Sequence, residues 1–282
     1  KFIKIYGAEI AKQGFSGYVS EVLIVNFGSF ENVIKSFSKI QQKQIIGNTS
    51  KVFDTSIVVI DPIDNNRNLA AAISNENIGK FILACRSFQN NPTPHFFKPK
   101  KLKPSENNWK NVLIVKFNFK MRSPDIIWGQ IKKATSSLKT QLELGGFNVL
   151  RSKAYSDEQN EAYLFFLLES TKIPKNYSKN GPEFFREDDC NSFISKNFAK
   201  TELMWINEDK KIISLERRKN DDVVKFMTDL LKNNLQTGIP KGLQNDFKKG
   251  FRVSVGNKNL SKSIKEAISD LISTDGAIFY SN

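Results

Sequence analysis

What this chain lacks narrows its chemistry before anything it contains. No apolar run approaches the roughly 18 residues that a membrane helix needs; Leu23 to Phe27 is only a short buried segment, so no membrane partner is expected. Histidine occurs once, as His95 in Pro92-Thr-Pro-His-Phe-Phe-Lys-Pro-Lys100, a loop composition with no second His or paired Cys beside it. A catalytic mechanism resting on His and a His-bearing metal site are therefore not expected. The two cysteines, Cys85 and Cys190, lie far apart and suggest neither a disulfide framework nor a zinc site. There is no Gly-x-Gly-x-x-Gly, no Gly-rich phosphate loop ending in Lys-Ser/Thr and no Gly-x-Ser-x-Gly. Gly14-Phe-Ser-Gly17 is no nucleophile elbow, because no strand leads into it and no base is available.

Paired carboxylates are equally scarce. Metal-dependent nucleotidyl transfer needs acids that hold two metal ions, and two acids spaced two apart on a strand supply them on one face. The only sharp acidic knot is Glu187-Asp188-Asp189, which precedes a helical pattern and reads as first-turn acids facing the helix dipole. Asp221-Asp222 has the same explanation. No complete catalytic centre is therefore expected in this chain.

What is present is basic charge and apolar bulk. Lys and Arg number 43 against 29 Asp and Glu, a formal charge of +14, and 39% of residues are hydrophobic, including 23 Phe. The excess points to a polyanion, nucleic acid first, although a lysine-rich solvated surface is the plain alternative. The apolar content can supply cores for two or three domains.

The pattern predicts a first helical block at 1–50: a helix from Gly17 to Gly28 capped by Ser16, then one from Phe30 to Ile40. Ser56 to Ile60 reads as a buried strand, and Ile78, Phe81, Ile82, Cys85 and Phe88 mark an amphipathic helix over 75–89. Basic, proline-interrupted residues from Phe97 to Lys110 place a boundary near 100. Beyond it come a strand (111–119), a helix (124–144), two strands (147–155 and 161–170) and a helix (187–198), a split βαβ plan. A hairpin follows, 203–206 with 211–216, then helices near 221–234 and 261–273. The expected organisation is α+β and multi-domain. It comprises a helical neck (1–50), an α/β body in two separated segments (51–100 and 199–282) and a ferredoxin-like, split βαβ tail (101–198).

Several short motifs in register carry a resemblance. Tyr6-Gly-Ala-Glu9, Gly14-Phe-Ser-Gly-Tyr18, Glu21-Val-Leu-Ile and Gly28-Ser-Phe30 are followed by Val58-Val-Ile-Asp-Pro62, Asp64, Arg67-Asn68, Ala70-Ala71, Ser74 and Phe96-Phe-Lys-Pro-Lys100. Together they resemble the archaeal-type (class I) CCA-adding enzymes, the CCA tRNA nucleotidyltransferases, from just after the catalytic head. The match thins through Ser123-Pro-Asp125, Leu150-Arg-Ser152, Gly181-Pro182 with Phe184, and Leu215-Glu216 with Arg218; little is recognisable beyond about 235.

The resemblance implies template-independent addition of C, C and A to the 3′ end of tRNA from CTP and ATP with Mg²⁺. Carboxylates of an N-terminal head domain would bind the metal, and that head is expected to be missing here, so these 282 residues alone are expected to be inactive. Tyr6 falls where the family has a tyrosine near the triphosphate, Lys4 or Lys1 where it has a phosphate-binding lysine, and Arg67 on the arginine that reaches the nucleotide. Packing under the first helix is the structural alternative for Tyr6, and pairing with Asp61 or Asp64 that for Arg67. The same two aspartates could hold Arg67 in orientation. Candidate contacts to the acceptor stem and TΨC arm are Lys98, Lys100, Lys101, Lys103, Lys132, Lys133, Arg217 and Arg218, since A-form RNA is read through phosphates and shape. A cytoplasmic location and a possible homodimer complete the expectation. The competing readings are a non-catalytic RNA-binding protein, motivated by the missing metal ligands, and another template-independent polymerase such as a poly(A) polymerase.

Overall fold

The computed structural model describes residues 3–97, 106–256, 260–275 and 278–279. They fall into two units, one of residues 1–105, 122–129 and 272–282, the other of 106–121 and 130–271.

In the first unit, α1 (Gly17–Phe27) starts where the Ser16 hydroxyl accepts from the Val19 amide and stops at Gly28, whose φ of 82° is the left-handed conformation glycine adopts freely. Helix α2 (Phe30–Ser38) is capped by Ser29 in the same way. Short strands β1 (Ile45–Ile46) and β2 (Val58–Val59) pair in parallel, a 3₁₀ turn covers Leu69–Ala72, and α3 (Asn75–Asn90) begins at the Ser74 cap. These elements share one core, with Phe15, Val19, Leu23, Phe37, Ile57, Val59, Ile78 and Cys85 all buried. Phe81 of α3 lies 5.0 Å from Phe15 and 4.8 Å from Phe37 between ring centroids. These ring contacts cross the expected boundary between neck and body near residue 50. Residues 51–97 pack with the helices before them.

The second unit contains the split βαβ plan. After the turn α4 (Glu106–Trp109), the strands and helices run β3 (Val112–Asn118), α5 (Pro124–Leu144, of which the unit holds Gln130 onward), β4 (Val149–Ser156) and β5 (Glu161–Leu168). Next come β6 (Asn176–Glu183), α6 (Glu187–Asn197), β7 (Thr201–Ile206), β8 (Lys211–Arg217), α7 (Val223–Asn233), α8 (Leu235–Gly238), α9 (Lys241–Lys249), β9 (Phe251–Val255) and α10 (Lys262–Ile272). One antiparallel sheet has the order β4-β5-β3-β9, which is the ferredoxin-like order with β9 as its fourth strand. Val112–Val115 and Phe117 of β3 and residues 162–168 of β5 are buried, and Phe117 stacks on Phe247 of α9 at 4.3 Å.

The second sheet, β6-β8-β7, lies between β5 and β9 in the sequence. The strand pairing thus crosses the boundary expected at 198/199. β6 and α6 belong with β7 and β8, and the sheet of the supposed tail is completed by residues 251–255 of the supposed second body segment. Pro182 explains why β6 is hard to read as a strand: it falls in a register shift between Asn180 and Glu183, where a missing amide costs no ladder bond.

Candidate nucleotide and RNA contacts

The first motif folds back on itself. Phe15 donates its amide to the Ile5 carbonyl, Gly7 to that of Phe15 and Gly14 to that of Gly7, each at 2.7–2.9 Å. This approach is so close that a Cβ on Gly14 would sit 2.1 Å from the Ile5 oxygen. Ile5 is buried between exposed Lys4 and Tyr6, so the loop presents both candidates to solvent. The Tyr6 hydroxyl lies at the start of α1, 3.2 Å from where a Gly17 Cβ would be, while the residue as a whole stays exposed. Asn77 of α3 ties the loop down by donating to the Lys12 and Gln13 carbonyls at 2.8 and 2.9 Å.

Arg67 stands on a second closed loop. The Asp61 amide donates to the Arg67 carbonyl at 3.0 Å and the Arg67 amide to that of Asp64 at 2.9 Å. Asn68 locks the base: its side-chain oxygen accepts from the Val59 and Ala70 amides, and its amide donates to Thr55. The Asp61 side chain is 5% exposed, while that of Arg67 is 66% exposed, with Nη1 3.4 Å from Asp61 Oδ2. Asp61 Oδ1 accepts from the Ile63 amide at 3.0 Å and from the Tyr18 hydroxyl at 2.8 Å. The Ile63 amide and the Tyr18 phenol, with Arg67 beside them, hold the Asp61 carboxyl below its usual range; the same bond to Asp61 raises the Tyr18 phenol. Asp61 is therefore the anchor of Arg67, whereas Asp64 caps its own turn by accepting from Asn66. Tyr18 is the member of this group that the sequence does not single out, since phenol and carboxylate lie 43 positions apart.

Both Asp61 oxygens accept hydrogen bonds, and among the described residues no three His, Cys, Asp or Glu side chains gather in one cluster. Glu187, Asp188 and Asp189 occupy the first turn of α6, with Asp189 paired to Arg186, and Asp222 is the N-cap of α7. Cys85 is buried, which pushes its thiol up to about 12 and leaves it inert.

The basic candidates are dispersed. Lys1, Lys98, Lys100, Lys101 and Lys103 lie outside the described residues. Lys133 is exposed on α5 and Lys132 half-buried beside it; about 18 Å of helix separates Lys132 from Leu144 at the end of α5. Arg217 is exposed at the end of β8. Arg218 is half-buried: its guanidinium donates to the Gly145 carbonyl at 2.9 Å and lies 4.4 Å from the Tyr177 ring centroid. It satisfies a carbonyl just past α5 and is an internal tie.

Two family models match in sequence order. The model "tRNA nucleotidyltransferase, second domain" matches residues 1–98, and "CCA-adding enzyme, C-terminal domain" matches 110–256. Proteins named CCA-adding enzyme from Saccharolobus islandicus and Saccharolobus solfataricus are 36% identical over 225 residues, covering 79% of this chain and 53% of theirs. That of Sulfolobus acidocaldarius is 34% identical over 230 residues, covering 80% and 54%. The chain spans about half the length of the curated relatives it matches. With two successive family models in register over this fold, the chain belongs to the CCA-adding enzyme family.

Proposed function

We propose that this chain supplies the nucleotide-holding and tRNA-holding parts of an enzyme that adds C, C and A to the 3′ end of tRNA from CTP and ATP without a template. The observation that carries this reading is Arg67, an exposed guanidinium paired with the buried Asp61 carboxylate inside the family-matched segment. A planar fork of donors suits the edge of a base or a phosphate, and a fixed one can discriminate between bases. Tyr6 and Lys4 face solvent on the neighbouring loop, where a phenol and an ammonium can meet phosphate oxygens. Lys132, Lys133 and Arg217 are assigned to the acceptor stem and TΨC arm, together with Lys98, Lys100, Lys101 and Lys103; Lys1 is assigned to the nucleotide. In this reading Mg²⁺ and the carboxylates that bind it belong to a part of the enzyme outside these residues. The cytoplasm, where tRNA is matured, is the assigned location. Pairing of two copies is supported by β7, an outer strand with exposed Leu203, Trp205 and Ile206.

The test is incorporation of labelled CMP and AMP into tRNA lacking its terminal CCA, in the presence of Mg²⁺. The full-length protein is expected to add all three nucleotides; the 282 residues on their own are expected to bind tRNA and add none. No incorporation by the full-length protein would favour a non-catalytic RNA binder, and a run of A alone would favour a poly(A) polymerase. Metal-dependent incorporation by the 282 residues would place a carboxylate site within them.

A further inference from the structure

We infer that Tyr18 is a positioning residue for Arg67, acting through Asp61; the inference rests on the nucleotide-contacting role proposed for Arg67. An exposed arginine has many rotamers, and one carboxylate oxygen 3.4 Å away holds it only if the carboxylate itself is fixed. Asp61 can turn about its last torsion and exchange its two oxygens. Two donors prevent this by sharing Oδ1, the Ile63 amide at 3.0 Å and the Tyr18 hydroxyl at 2.8 Å, and they leave Oδ2 to Arg67. The amide is part of the same loop as Asp61, whereas the phenol comes from the first turn of α1, next to the glycine over which the Tyr6 hydroxyl lies. Tyr18 thus couples the two loops that carry the nucleotide candidates. A neutral donor suits the task, since a lysine there would compete with Arg67 for the carboxylate charge. The Tyr18 ring is partly exposed, so the hydroxyl can be removed without opening a cavity.

The first arm of the test uses these 282 residues and the ¹⁵N side-chain resonances of Arg67. Slow guanidinium rotation in the parent and fast, averaged rotation in Tyr18→Phe are expected; equal rotation in both overturns the inference. The second arm uses the full-length protein and a cycle of Tyr18→Phe, Arg67→Ala and the double variant. Tyr18→Phe is expected to raise KM for CTP and ATP roughly 3- to 10-fold, the value of one hydrogen bond, and to narrow the preference between them. In the Arg67→Ala background the same change is expected to do nothing further, because its route is already cut. A persistent effect in that background marks a merely structural role and overturns the inference, as does a normal KM in Tyr18→Phe where Arg67→Ala raises it. If Arg67→Ala itself leaves both KM values unchanged, the nucleotide role of Arg67 falls, while the resonance arm still decides whether Tyr18 orients it.

Discussion

At the scale of single residues, Asp61 is the group whose protonation has the clearest consequence. Its folded pKa is lowered by the Ile63 amide, the Tyr18 hydroxyl and the nearby Arg67 charge, so the folded state favours its ionised form. The stability this contributes is fully present above the unfolded value of about 3.9 and is lost as the pH falls through the lower folded value. Asp61→Asn removes the titration while keeping the shape of the side chain. The melting temperature of the parent is therefore expected to fall more steeply than that of the variant as the pH drops below about 4. Parallel curves would show that the Asp61 carboxylate is not held in solution as it is here. The pairing of Arg67 with an aspartate of its own loop was legible in the sequence, because Asp61, Asp64 and Arg67 lie within seven positions. The bond from Tyr18 to Asp61 was not, since a contact across 43 positions depends on how α1 packs against β2.

At the scale of elements, local signals transferred and long-range pairing did not. Ser16, Ser74 and Pro124 mark helix starts because capping and proline chemistry are local, and all three helices begin where those residues place them. The division into body and tail depends on which strand pairs with which, and neither β6 nor β9 announces its partner. The ferredoxin-like order is closed only by a strand that follows a whole inserted sheet. Arg218 illustrates the same limit. In the sequence it is one more surface cation beside Arg217; in the fold it joins the stretch after β8 to the turn after α5. Gly146, at φ 91°, leaves room for it, since a Cβ there would sit 2.6 Å from Nη1. Arg218→Ala removes a charged hydrogen bond to a carbonyl and a cation–π contact, and is expected to cost about 2 kcal/mol in urea unfolding. Arg217→Ala is expected to stay within about 0.5 kcal/mol of the parent. Equal losses would mean that Arg218 is not the tie described.

At the scale of the whole molecule, if the chain binds tRNA as proposed, its formal charge of +14 implies an affinity that falls with salt. A protein that accepts every tRNA reads phosphates and shape, and each phosphate contact releases condensed counterions, so log K falls linearly with log salt at a slope set by the number of contacts. Charge on the surface and charge committed internally must then behave differently. Arg217→Ala and Lys133→Ala are each expected to weaken binding across unrelated tRNAs and to reduce the slope by roughly one unit. Arg218→Ala has no comparable contact to lose, because its guanidinium already serves Gly145 and Tyr177; at temperatures well below its melting point the slope should stay with the parent. Titrations at several salt concentrations separate the cases. A slope lowered by Arg218→Ala and untouched by Arg217→Ala would reverse the assignment, moving the RNA-facing side of this unit from the exposed end of β8 to the turn after α5.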